Sequence, residues 1–363
     1  MSILDCIRPE IRSLRPYQAA DQVDDTIRLN ANEAPWSNAD DQFRRPLNRY
    51  PEVRPEKLRD MLSEFYGCGA ENLAVTRGSS EAIDLLIRVF CRAEQDAMLT
   101  VAPTFSMYRH YARVQGARVI EYPTLPDNDF AIDVDDLLAN CDATVRLIFI
   151  CSPNNPTGNS VPLDDLIRIL EARRESSAIV VDEAYVEFSD QASVVDLLRR
   201  FDNLIVLRTL SKALACAGAR CGSVIANKAI VDIISAVQAP YALATPVVEC
   251  VENALDDNGF GKARRWASEI VAERDSMMAN IANLKFVAKV WPSAANFFLV
   301  KSSSADDILQ YCLQQGVLLR DMGKEIPDCI RITVGSIEEN ERLLQVLHEF
   351  RDQNQDKNQD TKQ

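Results

Sequence analysis

The chain has 363 residues, 47% hydrophobic and 26% charged, which is ample for two domains, since single cores seldom grow beyond about 250 to 300 residues. Its formal net charge of -14 repels polyanions in the far field and sets nucleic acid and anionic membrane surfaces aside as partners. Any anion bound here needs a local group of cations and N–H donors.

In chain order, residues 1–46 read as an N-terminal arm. Strand-length apolar runs then alternate with helix-period segments: LAVT at 73–76, AMLTVAP at 97–103, RVIEYP at 118–123, RLIFICSP at 146–153, AIVVDEAY at 178–185 and LIVLRTLS at 204–211. Between them Ile83, Leu86, Ile87 and Phe90, and again Leu163, Ile167 and Leu170, follow helical spacing and predict crossover helices. The alternation predicts a large, mostly parallel α/β/α sheet domain over 47–256. A long helix at about 261–283, short runs FVAKVW, NFFLV, GVLLR and CIRITV, and helices near 305–315 and 337–350 predict a smaller α+β domain over 257–350. The end, RDQNQDKNQDTKQ, lacks apolar anchors, so 351–363 reads as a disordered tail. The start, MSILDCIRPEIRS, shows no signal-peptide pattern, and no apolar run is long enough to cross a bilayer; the cytoplasm is the expected compartment. Ten cysteines without a CxxC pair, with only His110 and His348 beside them, argue against a zinc site or disulfide framework. No metal is expected.

In doubly wound sheets, ligands collect at the carboxyl ends of strands, and polar outliers fall there four times. Ser79 and Ser80 follow LAVT at a helix start, which can hold an anion through free N–H groups or can be an ordinary cap. Ser152-Pro153-Asn154-Asn155-Pro156-Thr157-Gly158 follows IFIC and is either a loop presenting polar groups or a rigid turn. Asp182 closes an apolar strand, where a carboxylate needs a cation or several hydrogen bonds, although helix capping explains such an Asp too. Lys212 and Arg220 follow LIVL in a run of small residues; a crowded Lys beside a cation can act as an amine nucleophile, whereas an isolated one is usually a surface residue. Together, an anion-binding helix start, a polar loop, a buried carboxylate, Lys and Arg meet the requirements of pyridoxal 5′-phosphate: a seat for its phosphate, its ring oxygen, its pyridine nitrogen and its aldehyde.

Asn154 to Gly158, Asp182-Glu183-Ala184-Tyr185, and Ser211-Lys212 followed by Arg220 resemble, in this order and spacing, the fold-type I pyridoxal-phosphate aminotransferases. More narrowly, Leu29 to Glu33, Asn48-Arg49-Tyr50-Pro51, Arg208 to Lys212, and Arg320 with Arg331-Ile332-Thr333-Val334-Gly335 resemble the histidinol-phosphate aminotransferase family, over about residues 15 to 350. The resemblance implies that 47–256 binds the cofactor, that Lys212 bonds its aldehyde, and that Arg220, Ser211 and the Ser79/Ser80 turn hold its phosphate, with Thr209 also in contact. It implies that Asp182 pairs with the ring nitrogen, that Tyr185 and Asn154 bond the ring oxygen, and that Tyr108 stacks on the ring. Arg320 and Arg331, with Tyr17 and Asn32, would hold the substrate, and Tyr50 would reach the other subunit's site in a homodimer. The implied reaction converts L-histidinol phosphate and 2-oxoglutarate to imidazole-acetol phosphate and L-glutamate, a step of histidine biosynthesis. Where the family usually continues its early loop Asn-Pro-aromatic-Gly, this chain reads Ala34-Pro35-Trp36-Ser37, which bears on the shape of a substrate lid.

An aromatic aminotransferase or a decarboxylase of a phosphorylated amino acid would use the same cofactor residues. A non-catalytic cofactor-binding regulator usually carries a DNA-binding segment, and the residues before Leu29 are too few and too acidic for one. A nicotinamide dehydrogenase is disfavoured because no GxGxxG follows any strand.

Overall fold

The computed structural model describes residues 2–18, 22, 27–37, 42–256 and 258–360, the last ten of these as backbone only. Seven strands form the larger sheet: β1 (Leu73–Thr76), β2 (Ala97–Ala102), β3 (Arg118–Pro123), β4 (Val145–Cys151), β5 (Ala178–Asp182), β6 (Leu204–Thr209) and β7 (Gly222–Ala226). Their order is β1-β7-β6-β5-β4-β2-β3. The pairs among β2 to β6 are parallel, while β7 runs antiparallel to both β6 and β1. Residues along each strand alternate between two cores. Leu99, Ile148, Ile150, Ile179, Val181 and Val206 enter one; Met98, Leu147, Phe149, Val180, Ile205 and Leu207 enter the other. Covered on both faces, the inner strands β4, β5 and β6 are buried at nearly every position, which is why they read as unbroken apolar runs, whereas the edge strand β3 is largely exposed.

The strand GSVIA of β7 has no counterpart in the sequence reading. It is a tight return from the 210–221 loop, and its direction matters to the site. Reversal brings the start of β7 to the edge where the other strands end, so Thr76, Gly222 and Thr209 stand in one row. The start of the N-terminal arm is packed down: Ile3, Cys6, Ile7 and Ile11 are buried in the second core, and Arg8 N–H bonds the Val89 carbonyl at 3.0 Å.

The smaller sheet, of order β10-β11-β9-β8, comprises β8 (Lys289–Val290), β9 (Phe297–Lys301), β10 (Arg320–Asp321) and β11 (Cys329–Thr333), and all its pairs are antiparallel. Helices Gly259–Ala282, Ala305–Gln314 and Ile337–Asp360 accompany it. Two of the expected strands shrink to two residues. In GVLLR, Gly316 takes φ 80° and Val317 N–H returns to the Cys312 carbonyl at 2.8 Å, so helix termination consumes the start of the run. In FVAKVW, Val287 N–H turns back to Leu284. The last helix continues through Asp360, into the stretch read as a tail, of which 361–363 lie outside the described residues. Arg274 of the long helix bridges the turn after β5 and the segment before β9: its Nη1 donates to the Phe188 and Ala295 carbonyls, each at 3.2 Å.

Next to the strand ends that matter, Arg208 of β6 is buried between Glu183 and Glu187, at 3.3 and 2.6 Å, with its guanidinium 4.5 Å from the Tyr66 ring centroid. Burial opposes the charge of Arg208, yet the two carboxylates hold its pKa above the ordinary value. The network ties the turn after β5 to β6 on the face opposite Asp182. Arg208→Ala leaves two carboxylates without their cation and is expected to lower the unfolding free energy by about 3 to 5 kcal/mol, read from urea denaturation monitored by circular dichroism.

Candidate active site

The carboxyl edge of the larger sheet opens on a cavity of about 450 Å³, bounded across the gap by Arg320, Met322 and Arg331 of the smaller sheet. Its anion-binding end is built at β1, β6 and β7. Thr76 ends β1, and helix Gly78–Phe90 begins at once, with no side-chain cap on its first turn. Glu81 takes the Arg77 backbone N–H at 2.6 Å and its guanidinium at 2.8 Å, so the following turn presents Ser79 and Ser80 to the cavity. Arg220 faces this helix start from a left-handed conformation of φ 53°, its Nη1 donating to the Ala217 carbonyl at 3.1 Å and to Ser211 Oγ at 3.5 Å. Thr209 Oγ1 donates to Ser211 Oγ at 3.0 Å. Two glycines make this approach possible. A Cβ on Gly222 would stand 2.8 Å from Gly78 C and from Ser79 N, and one on Gly78 2.7 Å from Arg220 Nη2. A cation, hydroxyls and uncapped N–H groups around a space kept free of Cβ atoms form a cradle that fits a phosphate monoester.

Asp182 ends β5 at 2% exposure and borders the cavity. Burial pushes its carboxyl pKa up, against the hydrogen bonds of Tyr108 and Ala184 and the charge of Lys212. A buried anion open on one side to a cavity is suited to a cationic ring nitrogen. Here two sequence expectations need correction. Tyr108 does not stand at the cavity: it is fully buried, stacked on Phe149 at 4.7 Å, and its hydroxyl donates to Asp182 Oδ2 at 2.7 Å. The aromatic wall is Phe105. Tyr108 and Ala112 are the buried positions of helix Met107–Gln115, an i, i+4 pair among arginines and a histidine, and that periodicity marks Tyr108 as core-facing.

Asn154 is likewise turned inward. Its amide donates to the Pro103 carbonyl at 2.9 Å and Thr157 Oγ1 at 2.7 Å, and its carbonyl accepts from Thr104 Oγ1 at 2.7 Å. These bonds use its side chain to close the loop. The neighbouring Asn155 borders the cavity instead, its Nδ2 donating to the Tyr185 hydroxyl at 3.4 Å and its Oδ1 accepting from Arg331 Nη1. Adjacent residues in a turn point different ways, and nothing in Asn-Asn alone distinguishes them.

Lys212 enters the same cavity, its Nζ 5.4 Å from the Tyr185 ring centroid. Desolvation, then the charges of Arg331 and Arg220, lower its pKa against the opposing pull of Asp182. Burial also pushes the Tyr185 phenol up, so it remains a neutral donor at physiological pH. Opposite, Arg320 and Arg331 are direct cross-strand partners, a like-charge pair that costs stability unless an anion sits between them. Arg331 Nε is buried without a hydrogen-bond partner among the described residues. Glu325 also borders the cavity; neither it nor Met322 carried a sequence signal.

Tyr17, Asn32 and Tyr50 do not border this cavity. Tyr50 stacks on Tyr241 at 4.7 Å and Tyr17 meets Tyr241 edge-on at 6.1 Å, on an exposed aromatic patch. Glu33 fixes both adjoining segments: its carboxylate accepts from Arg28 at 2.8 Å, Arg49 at 2.9 Å and the Tyr50 N–H at 2.9 Å. Burial opposes that charge, but the three donors prevail and hold its pKa below the ordinary value. The clamp therefore stabilises above the usual glutamate range and is lost as pH falls through the lowered pKa.

The Gly222 contacts yield a direct test. Gly222→Ala must displace the backbone of the helix start, so the apoprotein's affinity for inorganic phosphate, measured by calorimetric titration, is expected to fall by about tenfold or more, equivalent to about 1.4 kcal/mol. Unchanged affinity would place the anion elsewhere.

Comparison with known proteins agrees with this geometry. The family model for aminotransferase class I and II matches residues 24–347. The histidinol-phosphate aminotransferase of Xylella fastidiosa is 42% identical over 355 residues, covering 96% of this chain and 97% of the relative. That of Xanthomonas axonopodis pv. citri is 41% identical over 353 residues, covering 95% and 97%. The crystal structure of the histidinol-phosphate aminotransferase from Clostridium acetobutylicum superposes with a TM-score of 0.77 at 23% identity, covering 85% of this chain and 92% of that one. The chain belongs to the class I and II aminotransferase family.

Proposed function

We propose that the protein transfers an amino group between L-histidinol phosphate and 2-oxoglutarate, with pyridoxal 5′-phosphate as cofactor. The observation that carries the reading is one cavity with two anion-binding ends, the Ser79–Arg220 cradle and the Arg320–Arg331 pair, with Lys212 and Asp182 between them. One end suits the cofactor phosphate and the other a phosphorylated amine. The relatives with 41 and 42% identity, named for this activity, support the choice of substrate.

Bound there, the cofactor supplies an aldehyde for amines and a cationic ring that draws electrons from the bond broken at the substrate carbon. Arg220, Ser211 and the first turn of helix Gly78–Phe90 would hold its phosphate, Asp182 its ring nitrogen, and Tyr185 with Asn155 its ring oxygen. Phe105 supplies an apolar wall. Lys212, with its pKa lowered, gives up its proton more readily than an exposed lysine, and its Nζ is suited to accept the proton leaving the substrate carbon and return it as the ammonium. Asp182 keeps a negative charge buried where a positive one must persist. Arg331 and Arg320 bind the substrate phosphate in one direction and a carboxylate of glutamate or 2-oxoglutarate in the other, with Asn155 fixing the Arg331 fork.

Purified protein supplied with the cofactor is expected to show a visible absorption band, lost on borohydride treatment with the label on Lys212. With histidinol phosphate and 2-oxoglutarate it is expected to form glutamate and imidazole-acetol phosphate in equal amounts. Carbon dioxide released from a phosphorylated amino acid, without amino transfer, would identify a decarboxylase instead.

The site is also proposed to be shared across a homodimer. Tyr50 is half exposed and lies outside its own chain's cavity, on a segment held rigid by Glu33; a two-fold axis would carry it to the other cradle. Co-refolding equal amounts of inactive Lys212→Ala and Tyr50→Ala chains is expected to restore about a quarter of wild-type sites, because each mixed dimer gathers both defects in one site. Mixed dimers seen by native mass spectrometry but without activity would assign Tyr50 to its own subunit.

A further inference from the structure

The side chain of Tyr108 has one polar atom, and that atom ends on the group facing the cavity. Its ring is packed between Phe149 of β4, stacked at 4.7 Å, and Phe105, edge-on at 5.7 Å. Its hydroxyl donates to Asp182 Oδ2 at 2.7 Å, and Oδ1 accepts the Ala184 N–H at 3.1 Å. Each carboxylate oxygen thus has one fixed donor from the protein and lone-pair capacity left for a ligand. The other titratable groups facing Asp182 are Cys151 of β4, whose thiol burial pushes up, Tyr185, whose phenol burial pushes up, and Lys212 after β6. Burial, then the charge of Asp182, hold the Tyr108 phenol well above its ordinary pKa, so it donates at every working pH.

Two consequences follow from this bond. Rotation of the carboxylate would leave the buried hydroxyl with only the weakly accepting Cys151 sulfur beside it, an unfavourable exchange for a buried donor. Donation also favours the anion over the acid and so reduces the carboxylate's basicity. We propose that Tyr108 is a positioning residue that fixes the plane of Asp182 and lowers its basicity toward the ring nitrogen of the cofactor, an assignment that rests on the function proposed above. Without the phenol, the carboxylate draws the shared proton from the ring nitrogen toward itself. The ring becomes less cationic and a weaker acceptor of electrons.

Tyr108→Phe keeps the ring contacts and removes only the hydroxyl. With circular dichroism unchanged, the dissociation constant for pyridoxal phosphate is expected to rise about tenfold, the scale of one hydrogen bond to a charged group. The pH midpoint of the bound cofactor's visible absorbance is expected to rise by about one unit, since a less cationic ring withdraws less from the nitrogen it shares with Lys212. A fall in kcat with little change in KM would accompany this. In an Asp182→Asn background the same substitution should change neither quantity further. Equal shifts in both backgrounds would make Tyr108 a packing residue and overturn the inference. Should Tyr108→Phe fail to fold, 3,5-difluorotyrosine placed at 108, a stronger donor of nearly the same shape, is expected to lower the midpoint, and a midpoint that stays put overturns the inference equally. Wild-type protein that binds no pyridoxal phosphate would sink the proposed function itself, whereas a wild type that binds it, beside a Tyr108→Phe variant with unaltered constant and midpoint, overturns this inference alone.

Discussion

A carboxylate buried at the end of an apolar strand is the constraint around which this molecule is arranged. Asp182 is 2% exposed, and its direct hydrogen-bond donors are a phenol and a backbone amide, both neutral. Desolvation of an anion is expensive unless a cation meets it. The protein does not supply that cation by contact; it keeps a cavity beside the carboxylate and places Lys212 in the loop just after the neighbouring strand β6. The two-faced burial of the sheet, the stacking of Tyr108 on Phe149 and the Arg208 network on the opposite face all hold the strand end in place.

The rest of the cavity repeats the pattern of local cost left for a ligand to relieve. Uncapped N–H groups at Gly78 to Ser80 lie beside a guanidinium, and Gly222 admits the β7 backbone to a distance no Cβ permits. Across the gap, Arg320 and Arg331 are juxtaposed, with Arg331 Nε lacking a hydrogen-bond partner among the described residues. In a chain of net charge -14, these two local groups of cations and donors are places suited to an anion. Their separation by Lys212 and Asp182 suits the proposed reaction, in which one anion would belong to the cofactor, the other to the substrate, and a proton would move at a carbon between them.

Much of this was legible in the amino acids. The parallel strands of the sheet interior announce themselves as apolar runs because both faces are covered, and Lys212, Asp182, Ser79, Ser80 and Arg220, read from positions at or after strand ends, meet at one cavity with Tyr185, Arg320 and Arg331, which the family resemblance implied. The errors are local and share one cause. Asn154 and Asn155 are chemically identical neighbours, and Phe105 and Tyr108 are aromatics one helical turn apart. Which member faces a ligand depends on the direction in which the backbone leaves the strand, and identity carries no direction. β7 was missed because GSVIA is short and follows a loop, so its pairing with β1 and β6 is wholly non-local.

What the sequence determined by itself was composition at the strand ends: apolar runs that must be buried on both faces, and the few polar residues that interrupt them where helices and loops begin. That follows from periodicity and from the cost of burying charge, which act residue by residue. The tertiary structure alone decided orientation: the reversed β7 that brings Gly222 against the helix start, the Tyr108 hydroxyl directed at Asp182, the exchange of Asn155 for Asn154, and the facing of Arg320 and Arg331 across the cavity. Those outcomes depend on sheet register and on packing between segments far apart in the chain, where a rotation of one residue exchanges core for cavity at no change in composition.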